Sequence, residues 1–128
     1  GTVVIEDDVD IGAHTNVQRG TLNETRIGQG TKIDSFVHVG HNSRVGCHVV
    51  ITAQAMLGGS VTIGDYAWIG PAAVIRDGGV TIGAHALVGM GAVVAKDVAP
   101  HETVLGVPAR PLAEFMQLQE QLKRLNDG

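Results

Sequence analysis

Ile27-Gly28-Gln29-Gly30-Thr31-Lys32-Ile33-Asp34-Ser35-Phe36-Val37-His38-Val39-Gly40-His41-Asn42-Ser43-Arg44-Val45 carries an aliphatic residue at every sixth position: Ile27, Ile33, Val39 and Val45. The beat continues without error through Ile51, Leu57, Ile63, Ile69 and Ile75. With one interruption on either side it reaches back through Val17, Ile11 and Ile5, and forward through Ile82, Val88 and Val94. All fifteen positions are Ile, Leu or Val. A period of six fits neither the 3.6-residue turn of a helix nor the two-residue alternation of a half-buried strand. Hexad repeats of this kind mark a parallel β-helix.

Each hexad supplies one short strand and one turn, and three hexads close a coil of a three-sided prism. Four residues after most beats stands something small or β-branched, such as Thr31, Val37, Ser43, Ala55, Ala67 or Ala73. Such residues let the chain turn a corner without overfilling a narrow core. Fifteen beats then give about five stacked coils, each burying what a single repeat cannot. The sequence therefore predicts an all-β fold, a parallel β-helix over residues 1–99. An extended connector follows over 100–111, with Pro108 and Pro111 setting its backbone. From Leu112 the period turns helical: Leu112, Phe115, Leu118, Leu122 and Leu125 fall on one side, with Glu114, Glu120, Lys123 and Arg124 on the other. This predicts a short amphipathic α-helix over 112–126, which needs the prism or a second copy to pack against.

Composition agrees with a prism built from aliphatic layers, since aromatics make up only 3% of the 128 residues and glycines number 18. The formal charge of −4 and the absence of a basic run argue against a nucleic-acid binder. No apolar run approaches the roughly 20 residues of a membrane span. The lone Cys47 excludes an internal disulfide and fits a reducing, cytoplasmic location. The chain begins on Gly1 with its repeat already running at Val3, so we expect a processed chain or one whose upstream domain lies elsewhere.

The interruptions locate the chemistry. Val17 to Ile27 is ten residues instead of six, and the Thr21-Leu22-Asn23-Glu24-Thr25 segment reads as a loop leaving the prism. A second, one-residue interruption falls at Arg76-Asp77-Gly78-Gly79. With about 18 residues per coil, His41, Gly59 and Asp77 share one column, with Arg19 one coil below and Lys96 at the upper end. Both interruptions leave from this same corner. Functional loops are mounted on rigid scaffolds, so the corner of His41 is the expected site.

The beats together with Lys32-Ile33-Asp34 and the His41-Asn42 pair resemble the left-handed β-helix acyltransferases of the hexapeptide-repeat family, over residues 3–111. Val4-Ile5-Glu6-Asp7-Asp8-Val9, Arg19-Gly20-Thr21 and Gly30-Thr31-Lys32-Ile33-Asp34 look like the N-acyltransferases of lipid A biosynthesis, which acylate the 2-amine of a UDP-linked 3-O-acylglucosamine. The resemblance implies the left hand of the helix, which the repeat alone does not reveal. It also implies an enzyme that moves an acyl group from a thioester, on acyl carrier protein or coenzyme A, to the amine of a nucleotide-linked amino sugar. By resemblance His41 is the general base, Gly59 offers a backbone N–H to the oxyanion, and Asp34 orients the imidazole. Arg19, His38, Asn42 and Lys96 are the expected substrate-binding residues, with no permanently bound cofactor and no metal. A homotrimer is expected, because the prism has three flat faces and family members share sites between subunits. Where many members carry a second histidine in the coil above, this chain has Gly78 and Gly79.

Two other functions compete. Val104-Leu105-Gly106-Val107-Pro108-Ala109-Arg110-Pro111 looks like the end of acetyl-CoA-dependent sugar O- or N-acetyltransferases. A non-catalytic β-helix serving as an assembly module would carry no loops at a histidine corner. Six histidines invite a zinc site of the γ-carbonic-anhydrase kind, but His38, His41 and His48 lack that class's spacing, and a catalytic zinc needs three protein ligands. His14, His48 and His85 take a turn position and read as exposed surface. Trp68, stacked over Lys32 and Val50, is a candidate interface residue.

Overall fold

A computed structural model describes residues 1–127. Three parallel sheets wrap one core, with five, seven and five strands. The first face stacks Thr2–Ile5, Glu24–Ile27, Arg44–Val45, Thr62–Ile63 and Thr81–Ile82. The second stacks Asp10–Ile11, Lys32–Ile33, Val50–Ile51, Trp68–Ile69, Leu87–Val88 and Thr103–Leu105, then adds Arg110–Pro111 antiparallel at its end. The third stacks Asn16–Val17, His38–Val39, Met56–Leu57, Val74–Ile75 and Val93–Val94.

Register follows the beats. Ile33 pairs with Ile51 and Ile51 with Ile69, one coil apart each time. Ile5 pairs with Ile27, which absorbs the longer interruption as a projecting loop, and Ile63 pairs with Ile82, which absorbs the shorter one. The beats of the inner coils are sealed: Ile27, Val39, Ile51, Leu57, Ile69, Ile75 and Ile82 have no exposed surface. In the first coil Ile5 is 49% and Ile11 37% exposed. The small corner residues are buried as expected. The polar ones find acceptors, with Thr31 Oγ1 donating to the Gly46 carbonyl at 2.7 Å and Ser43 Oγ to that of Gly58 at 3.1 Å.

The fourth position of each hexad bears the strain of the corner. Asn42, His48, Tyr66 and His85 all adopt φ between 54° and 62°, in the left-handed region.

The prism runs further than the expected boundary at residue 99. Val98 bridges to Ile82, and Thr103–Leu105 pairs parallel with Leu87–Val88. Val98 and Val104, 5% and 4% exposed, are therefore the first beats of a sixth coil. They stand six apart, but the corner before them is cut to four residues, which hides the resumption. The helix spans Leu112–Asp127 and packs chiefly on the strands Thr103–Leu105 and Arg110–Pro111. Phe115 packs over Gly106, while Leu112, Met116, Leu122 and Leu125 stay exposed.

Candidate active site

The corner between the third and first faces carries His41. Strand His38–Val39 ends at Gly40, and the chain turns through His41 and Asn42 into Arg44–Val45. The His41 N–H donates to Gln18 Oε1 at 3.1 Å in the coil below, and its carbonyl accepts from the Ser60 N–H at 2.8 Å in the coil above. The main chain of the turn is thus tied on both sides while the imidazole remains exposed. Gln18, Arg19, Gly20, Thr21 and His41 line one open depression.

Asn42 fixes the imidazole. Its side-chain oxygen accepts from the Thr21 N–H at 2.9 Å, and its Nδ2 donates to the Leu22 carbonyl at 2.5 Å. A backbone amide can only donate and a carbonyl can only accept, so these two contacts settle which end of the amide is which. The Asn42 Oδ1 that lies 3.1 Å from His41 Nδ1 is therefore an acceptor. Nδ1 thus carries a hydrogen, and in the neutral ring the lone pair belongs to Nε2. The Asn42 N–H in turn donates to Thr25 Oγ1 at 2.8 Å. One residue binds both arms of the inserted loop and selects the tautomer of His41.

Nε2 faces Gly59. A Cβ placed on Gly59 would lie 2.3 Å from that nitrogen, so only glycine lets the ring lie flat against the coil above. Gly59 is buried, and its N–H reaches no acceptor among the described residues. The imidazole and a free amide donor thus stack in adjacent coils of the same corner. That pairing suits proton abstraction from a nucleophile beside stabilisation of an oxyanion.

The other expected residues are distributed along the same edge or off it. Arg19 lies one coil below His41, in register through Val17 and Val39, and forms no ion pair among the described residues. Lys96 tops the column, three coil spacings above His41 or roughly 14 Å. It lines a separate depression with Pro108, Ala109 and Arg110. His38 is half-buried on the third face, with its Nδ1 3.1 Å from Asn16 Nδ2. Asp34 is not brought to His41 within one chain. It stands on the corner between the second and third faces, where Oδ1 accepts the Ser35 N–H at 2.7 Å. A separation of seven residues places the two on different corners. Within the chain, the residue holding the imidazole is Asn42.

Sequence reasoning missed an ion cluster that clamps the returning arm of the loop. Arg26 donates to Glu6 at 2.6 Å and also to Glu24. These bonds hold both carboxyls below the ordinary carboxylate range, helped at Glu6 by the Gln29 N–H, and push the Arg26 guanidinium up. Arg26 is in register with Val4, two residues before Glu6, so pairing Ile5 with Ile27 would have found it. Also missed was a stack of rings on the corner between the first and second faces. His48, Tyr66, His85 and His101 lie nearly parallel at centroid spacings of 5.1, 5.0 and 4.8 Å. Among the described residues no group of three or more His, Cys, Asp or Glu side chains is arranged to hold a metal ion. No helix is long and apolar enough to cross a membrane.

Comparison with known proteins gives this fold a class. The family model for the hexapeptide repeat of succinyl-transferase matches residues 60–96. Residues 60–96 of this β-helix thus match a hexapeptide repeat, and the curated relatives of the chain are named acyltransferases. UDP-3-O-acylglucosamine N-acyltransferase from Methylobacterium sp. (strain 4-46) is 42% identical over 125 residues, covering 98% of this chain and 35% of the relative. UDP-3-O-acylglucosamine N-acyltransferase 1 from Gloeobacter violaceus is 48% identical over 124 residues, covering 97% of this chain and again 35% of the relative. The chain thus spans about a third of the length of these curated relatives, 35% in both. Among solved structures, a perosamine N-acetyltransferase from Caulobacter crescentus, held with coenzyme A and GDP-perosamine, superimposes with a TM-score of 0.72 at 29% identity. That match covers 85% of this chain and 52% of the other.

Proposed function

We propose that this chain is the catalytic prism of an N-acyltransferase that moves an acyl group from a thioester to the amine of a nucleotide-linked amino sugar. The observation that carries the reading is the stacking of the His41 imidazole on Gly59, whose N–H has no acceptor among the described residues, at the corner from which both loops leave. The acceptor amine attacks the thioester carbonyl while Nε2 takes its proton. The Gly59 N–H stabilises the oxyanion of the tetrahedral intermediate. Collapse forms the amide and breaks the carbon–sulfur bond, and the protonated His41 returns its proton to the leaving thiolate. A thioester is already activated, so a base and an oxyanion donor suffice.

The donor is an acyl group on acyl carrier protein or coenzyme A, bound only as a co-substrate. Lys96 supplies positive charge at the upper end of the column, beside the Arg110–Glu114 ion pair, which suits the phosphate end of the carrier's pantetheine arm. Arg19, His38 and Asn42 flank the acceptor. The working unit is a homotrimer in the cytoplasm. Apolar side chains exposed on two faces support this, with Trp68 at 38%, Leu87 at 38% and Met56 at 43%. In such a trimer Asp34 acts across a subunit boundary, toward the imidazole of a neighbouring copy.

A second reading, an acetyl-CoA-dependent sugar acetyltransferase, is favoured by the likeness to the perosamine enzyme held with coenzyme A. One screen separates the two. Long-chain acyl carrier protein and acetyl-CoA are each offered with UDP-linked amino sugars, with and without a 3-O-acyl chain. Turnover of the long acyl group supports the first reading, turnover of acetyl alone the second, and no turnover with any pair refutes both.

A further inference from the structure

Leu22 is a large apolar side chain held in water beside the catalytic corner. It is 76% exposed, against 0% for the beat Ile27 that closes the same loop. Loop tips usually carry small or polar residues and move. This one is immobilised. The Thr21 N–H and the Leu22 carbonyl are both bonded to Asn42, at 2.9 and 2.5 Å. The Gly20 N–H donates to the Thr2 carbonyl at 3.1 Å, and the Thr2 N–H donates to the Asn23 carbonyl at 3.0 Å. The Asn42 side chain that pins Leu22 is the one that orients His41. Thr21, its neighbour, lines the depression beside the imidazole. A loop whose main chain is tied to the residue that holds His41 therefore presents an exposed isobutyl group at this corner.

We infer that Leu22 is a specificity residue, an apolar contact for a fatty acyl chain lying beside His41. The depression beside His41 is itself lined by the polar Gln18, Arg19 and Thr21, so Leu22 is the apolar group that this loop adds to the corner. The acyl chain has two possible sources, the thioester donor or an O-acyl group already on the acceptor sugar. Both offer the same methylene surface. This inference rests on the acyl-transfer reading above and adds to it which residue reads the chain.

The test compares the wild type with Leu22→Ser and Leu22→Met, neither of which touches the backbone bonds that hold the loop. In the donor arm, turnover of myristoyl thioester is divided by turnover of acetyl thioester on one acceptor. In the acceptor arm, turnover of a 3-O-acylated amino sugar is divided by that of its unacylated counterpart. Calorimetric binding of the same donor and acceptor pairs repeats both arms without turnover. Losing the burial of one leucine predicts that Leu22→Ser lowers the long-chain preference about tenfold in one arm, while Leu22→Met keeps it. The arm that changes identifies the chain. Preferences unchanged in both arms, by turnover and by binding, overturn the inference. So does a Leu22→Ser protein whose only change is a lower oligomeric mass by light scattering, which makes Leu22 a subunit contact. A wild type that turns over no substrate refutes the acyl-transfer reading instead, and the binding arms still decide the role of Leu22.

Discussion

Asn42 holds His41 through a single oxygen: Oδ1 stands 3.1 Å from His41 Nδ1 and accepts the Thr21 N–H at 2.9 Å at the same time. The loop and the imidazole therefore share one anchor. Asn42→Ala should release both. We expect kcat to fall about tenfold to a hundredfold through misplacement of the ring. Because the free imidazole can then adopt either tautomer, the pH–rate profile should change along with kcat. A loss confined to thermal stability, with the profile intact, would assign Asn42 to loop anchoring alone.

Gly59→Ala tests the opposite side of the ring. Gly59 is not among the residues with positive φ, so alanine fits the backbone there. The added methyl would fall 2.3 Å from His41 Nε2 and must push the ring away. Activity should drop by about 10²-fold or more, while the melting temperature moves by only a few degrees, roughly the cost of mild overpacking. Serine at the same position should behave likewise. An active Gly59→Ala enzyme would show that the His41 ring need not lie against this coil during turnover.

Ile63 and Ile5 occupy the same phase of the repeat in different coils, at 1% and 49% exposure. Ile63→Ala should cost about 2–5 kcal/mol, as a cavity in a sealed layer does. Ile5→Ala should cost less than half of that, because much of its side chain is already in water. Chemical denaturation of both variants checks the ratio. Equal losses would mean that the first coil is covered in solution.

Glu6 and Glu24 are held below their usual range by Arg26. Carboxyls whose values are depressed on folding contribute stability above their unfolded value, and that contribution is lost as the pH falls through the folded one. Arg26→Met should therefore melt below the wild type at pH 7, and the two curves should converge on acidification through the carboxylate range, about pH 4 and lower. A gap that persists at pH 3 would mean that Arg26 acts through packing rather than charge.

The repeat made the prism legible because each inner beat faces a core that tolerates only aliphatic side chains. It also singled out one corner as the candidate site, since an insertion must leave from some corner and both left from that of His41. Stacking of Gly59 on His41 follows from counting alone. The bond from Asn42 to the loop does not, because a count treats residues 20–26 as simply absent from the prism. Val98 was hidden for a related reason. It stands four residues after Val94, where a corner residue is expected, and a shortened corner makes it a beat instead. The histidines at 48 and 85 read correctly as exposed, but their stacking with Tyr66 and His101 arises from the left-handed backbone, which points each ring along the edge. Asp34 stands on its own corner, so what it does cannot follow from one copy of the chain.

The most direct test of the account is the rate of His41→Ala on an accepted acyl donor and amino sugar. His41 sits on an exposed turn, so the variant should fold and melt as the wild type does. Its kcat should fall by about 10²–10⁴, and the residual rate should climb with pH as free amine forms without help. His38→Ala, three residues away on the flat third face, serves as the control and should act mainly on KM. A His41→Ala protein that keeps most of its kcat on the same substrates would show that positioning and the Gly59 amide suffice, and would contradict the assignment of His41 as the base.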